Sequence, residues 1–207
     1  MKHAHSIVPR VLIAALGTWL NFYSVSTAAH AAVGDHSALL EGFIHPLTAP
    51  EDVLFVLGCG LLIGQTYDTR ANAVPLLWLA LACGVLLAPW VAANDWVELV
   101  NVGSVLIVGI LVALAANVSS AILFSGIAVL SVVHGVANGT GLPTGRSLFE
   151  FAIGAAFVCS TLTFYTSLGV AWVVKAERGW RVIAVRVVGS WLFAIGVIVL
   201  AGRLRGI

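Results

Sequence analysis

Charge is the scarcest property of this chain. Lys, Arg, Asp and Glu make up 9% of its 207 residues, against roughly 25% in soluble domains. With 60% of the chain hydrophobic, a soluble globular fold is excluded. The formal net charge of +1 offers no electrostatic footprint for nucleic acid, so no nucleic-acid partner is expected. Cysteine is sparse as well, with Cys59, Cys83 and Cys159 each alone in a separate apolar run. Lacking metal-type spacing, they read as space-filling thiols. No soluble domain, low-complexity tract, internal repeat, phosphate loop or haem motif interrupts the pattern. Steady polar/apolar alternation is also missing, which favours helices over a β-barrel.

What remains is a series of apolar runs near the ~20 residues a helix needs to cross hydrocarbon. The start differs from the rest. Lys2 and Arg10 make a basic beginning, residues 11–20 form a short apolar core, and Ala29-His30-Ala31 gives a small-x-small cleavage pattern. Residues 1–31 therefore read as a secretory signal peptide, with a retained first membrane helix as the alternative. Residues 32–207 are expected to form one all-α domain, a polytopic membrane helix bundle of about six transmembrane helices. The spans fall at about 51–65, 73–93, 97–117, 119–137, 148–174 and 180–202. The first is short, so it begins earlier, tilts or is partly re-entrant, and 37–44 reads as an interfacial piece leading into it.

The signal places the mature N-terminus outside the cytoplasm of a bacterial cell, so the lipid bilayer of the inner membrane is the expected surroundings. The loops at 65–71 and 175–181 are then cytoplasmic and carry Arg70, Lys175, Arg178 and Arg181. The outer side carries Arg146, with Arg203 and Arg205 if the last span completes its crossing. That is a weak positive-inside bias. Trp90 and Trp96 suit the outer interface, Trp172 and Trp180 the inner one.

Ionisable side chains at membrane depth are expensive and mark function by default. On this path they collect on the outer side: His45, Glu51 and Asp52 at the first span, Asp95 and Glu98 at the third, His134 and Asn138 near the end of the fourth, and Glu150 at the fifth. Thr48-Ala49-Pro50-Glu51 predicts a helix start, with Thr48 as N-cap and Glu51 closing a capping box. Capping leaves Asp52 and His45 unexplained. Imidazoles with carboxylates suit a divalent transition ion or a proton. Ser104 and Ser125 show no partner in the sequence, so no nucleophile–base pair is expected and the chain reads as a non-enzyme.

Those residues also carry a resemblance. Glu41-Gly42-Phe43-Ile44-His45-Pro46-Leu47-Thr48 followed by Glu51-Asp52, Val97-Glu98 with Ser104-Val105-Leu106-Ile107-Val108-Gly109, His134-Gly135-Val136-Ala137-Asn138-Gly139 with Leu142-Pro143, Phe157 with Thr161, and Arg186-Val187-Val188-Gly189 resemble the HupE/UreJ family. These are bacterial membrane proteins of hydrogenase and urease gene clusters, regarded as nickel or cobalt permeases. The resemblance implies a divalent transition-metal ion as transported substrate, none tightly bound, handled by His45, Glu51, Asp52, His134, Glu98 and Asn138. The chain departs from the pattern in several places. The opening Asp and His of the family are Glu51 and Asp52 here; Asn138 and Gly141 replace a His and a Glu, and Tyr165 stands where a His is expected. Exchanging imidazoles for carboxylates should weaken selectivity for nickel. The loss of ligands on a kept scaffold also admits a non-transporting subunit of a larger membrane complex. With no nucleotide-binding segment, transport would be passive or driven by an ion gradient.

Overall fold

The structure, a computed structural model, describes residues 37–66, 70–91, 95–175 and 179–205, the side chains of Arg70 and Asp95 excepted. The signal peptide expected at 1–31, and the placements expected for Arg178 and the Asp95 side chain, lie outside the described residues. The described residues form seven α-helices in order: α1 (Ala38–Thr48), α2 (Pro50–Gln65), α3 (Arg70–Leu87), α4 (Asp95–Ala113), α5 (Ser120–Thr140), α6 (Leu148–Lys175) and α7 (Gly179–Leu204). A single 3-10 turn, Ala88–Trp90, extends α3. Among the described residues, five helices are long and apolar enough to cross a membrane, and α1 with α2 forms a sixth apolar unit bent by 77°.

That bend has a local cause. Pro50 disfavours helical geometry at the residue before it, and Ala49 is extended at φ −92°, ψ 106°. The proline then opens α2, where its missing N–H leaves no helical bond unmade. Thr48 is not the N-cap expected from the sequence. It closes α1, its hydroxyl donating to His45 O at 2.9 Å. Because α1 continues through Thr48, the carbonyls of its last turn claim that hydroxyl, and Glu51 has no capping box to close. The piece expected to be interfacial at 37–44 is helix as well, N-capped by Ser37.

Lipid removes the hydrophobic drive between helices, so close packing of small residues takes its place. Helices α3 and α5 meet where a Cβ on Gly84 would overlap the Val132 carbonyl and one on Gly135 would overlap that of Leu81. Helices α1 and α6 meet in the same way through Gly42 and Gly154. The first contact fixes the rotation of α5, and hence where His134 points. Helix α7 is pinned to α4 at both ends. Arg186 Nε donates to Ala113 O at 2.8 Å, and Arg203 Nη1 donates to Glu98 Oε2 at 2.8 Å. The C-terminal turn of α7 therefore shares one end of the bundle with the first turn of α4. At the other end, Arg181 lies over Trp172 and Trp180, 5.4 and 5.6 Å from the ring centroids, an arrangement suited to a membrane interface. Cys59 and Cys159 fill the core as expected, whereas Cys83 faces outward.

Candidate functional site

Three helices converge on one imidazole. Pro50 starts α2, which puts Asp52 in its first turn, where the positive end of the helix favours an anion. One turn on, Phe55 lies flat against His134 of α5, with centroids 3.9 Å apart and planes inclined by 14°. His134 Nδ1 is 2.6 Å from Asp52 Oδ1. Its other nitrogen, Nε2, is 2.7 Å from Ser104 Oγ of α4, and the Ser104 hydroxyl donates to Asn101 O at 2.6 Å. Asp52, His134 and Ser104 are 2%, 1% and 1% exposed.

Proton counting constrains this chain. The Ser104 hydroxyl has one proton: given to Asn101 O, it leaves Nε2–H to donate to Ser104 Oγ; given to Nε2, it leaves Nδ1–H to donate to Asp52 Oδ1. In either tautomer both ring nitrogens are engaged, as a buried imidazole at membrane depth requires. The surroundings are polar but incompletely paired. Asp52 Oδ2, Asn101 Oδ1, Ser131 Oγ and Asn138 Nδ2 are buried without a hydrogen-bond partner. Ser131, His134 and Asn138 follow one another at about one turn along a single face of α5.

The residues singled out from the sequence separate into three places. Asp52 and His134 are in direct contact, with Asn138 one turn beyond His134 and 4% exposed. Glu51 and Glu98 lie nearer the bundle's end and share Arg203, which is 4.0 Å from Glu51 Oε1 and 2.8 Å from Glu98 Oε2. His45 is on α1, its ring edge-on to Phe151 at 5.5 Å. Glu150 occupies the exposed first turn of α6. Among the described residues, no three His, Cys, Asp or Glu side chains are grouped closely enough to hold a metal ion.

Ser104 requires a correction, because its partner is His134, thirty residues along the chain. The order Ser–His–Asp is that of hydrolytic triads. Here the serine is enclosed at 1% exposure and its hydroxyl is within reach of a backbone carbonyl as well as the imidazole. The sequence carried one signal for it: Asn101 and Ser104 are polar residues one turn apart in an otherwise apolar span. Phe55 and Arg203 were also missed as site residues, since an aromatic in an apolar run and a basic C-terminal turn both have ordinary explanations.

A bundle of apolar helices enclosing a carboxylate–imidazole pair defines a polytopic all-α membrane protein with a buried ionisable site. The family model described as HupE / UreJ protein matches residues 18–199, and the chain belongs to the HupE/UreJ family, which is associated with nickel and cobalt transport. No curated protein matches it, and no solved structure does.

Proposed function

We propose that this chain is a divalent transition-metal permease of the nickel/cobalt type in the bacterial inner membrane, with its mature N-terminus on the periplasmic side. The observation that carries this reading is the Asp52–His134 pair, buried at 2.6 Å with Asp52 Oδ2 left without a partner. An imidazole donor backed by a carboxylate suits a divalent ion of intermediate softness. Glu51 and Glu98 form the acidic approach, at present bridged by Arg203, and Asn138 supplies a neutral polar group beside the path. His45 is left to seat α1 against Phe151.

Cells expressing the chain should accumulate nickel, cobalt, zinc or copper above a vector control, and His134→Ala should remove that excess. Equal accumulation by the mutant for all four metals contradicts the proposal. Metal-free protein that co-purifies in fixed stoichiometry with other membrane proteins would instead make it a structural subunit.

A further inference from the structure

The two nitrogens of His134 have unequal partners. Nδ1 meets a carboxylate, whereas Nε2 meets only the Ser104 hydroxyl, at 2.7 Å. Metal-ligating histidines commonly give their other ring nitrogen to a carboxylate, which fixes the ring and raises its basicity. By that chemistry Asp52 orients the ring and Nε2 is the nitrogen that faces the substrate.

The hydrogen-bond partner of Nε2 comes from α4. Ser104 Oγ is in contact with it, and Asn101 stands one turn earlier on the same face, tied to Ser104 through its backbone oxygen at 2.6 Å. Asn101 is 4% exposed, and its Oδ1 has no hydrogen-bond partner. A buried amide oxygen that has given up water without gaining a donor is unusual and calls for an explanation. An amide oxygen is an acceptor only, so a cation is one partner that can satisfy it. We propose that Asn101 and Ser104 are ligands for the transported cation. They add two neutral oxygen donors to His134 Nε2, between α4 and α5. This rests on reading the Asp52–His134 pair as the permeation site. In the tautomer with Nδ1–H donating to Asp52, Nε2 carries the lone pair the ion takes, a place now held by Ser104 Oγ. One imidazole with hydroxyl and amide oxygens favours cobalt, nickel or zinc over the soft cadmium ion. Acids, imidazoles and thiols alone do not mark such a site, because two of its three donors are a hydroxyl and an amide oxygen.

The test is equilibrium binding of cobalt, nickel, zinc and cadmium to the purified full chain in detergent. Wild type, Ser104→Cys, Asn101→Asp and His134→Ala are compared, with Ser125→Cys, on an exposed part of α5, controlling for an added thiol. Ser104→Cys puts a soft donor on the ion and should raise cadmium binding relative to cobalt by about tenfold. Asn101→Asp adds a negative charge and should tighten all four metals by about tenfold. A serine and an asparagine with structural roles only would alter stability and leave both the metal order and the affinities unchanged. That outcome, with binding still lost in His134→Ala, overturns this inference and spares the permease reading. Wild-type binding that does not depend on His134 overturns both. Should Ser104→Cys fail to fold, Asn101→Asp decides.

Discussion

Replacing His134 by alanine leaves the Asp52 carboxylate at 2% exposure with neither its partner nor water. Removing one member of a buried ion pair costs about 3–5 kcal/mol, because the remaining charge is uncompensated. Loss of the Phe55 stack, at 3.9 Å, adds roughly 0.5–1.5 kcal/mol. Asp52→Ala should be damaging for the mirror-image reason, stranding an imidazole enclosed by Phe55 and Ser104. In the double mutant both polar groups are gone together, so its loss should fall short of the sum of the two singles by about 2 kcal/mol or more. The assay is a double-mutant cycle, with reversible unfolding followed in mixed detergent micelles. Additivity to within about 0.5 kcal/mol, the agreement expected of independent sites, would refute the pairing and the burial argument built on it.

Other consequences can be checked more quickly. Gly135→Leu forces α3 and α5 apart where a Cβ would already overlap the Leu81 carbonyl. It should destabilise the bundle by about 1–3 kcal/mol or more, seen as aggregation on size-exclusion chromatography or a lowered melting temperature. Arg203→Gln removes the bridge to Glu98 and Glu51, yet at 37% exposure it should cost only about 0.2–1 kcal/mol. A larger loss in the same unfolding assay would mean that the bridge is not a screened surface pair. Thr48→Ala should change stability by less than the ~1 kcal/mol of a lost N-cap, because its hydroxyl bonds back to His45 O. A loss of that full size would restore the capping reading.

The helices were legible because lipid demands long apolar runs and polar residues punctuate them. Membership of the bundle follows from that alone, and each of the later spans is found as a helix within a few residues of its expected position. The first span was harder. Its shortness was visible, but a helix running up to Ala49 was not, since Pro46 argues against it while Pro50 marks only the start of α2. Asp52 and His134 stood out as ionisable groups in apolar surroundings, which composition can show. Their contact with each other could not be read, because it depends on the rotation of α5, set by Gly84 and Gly135 against facing backbone. The same rotation brings Ser104 to Nε2. The place of His45 could not be read either, because it follows from the 77° bend that carries α1 onto α6 and sets its ring beside Phe151.

The central claim is that metal crosses the membrane by way of the Asp52–His134 pair. Nickel and cobalt flux into proteoliposomes containing only the purified chain tests it most directly, with His134→Gln as the comparison. The account predicts measurable flux for the wild-type protein and background flux for the variant at equal incorporation. Equal flux in both, or none in either, contradicts it.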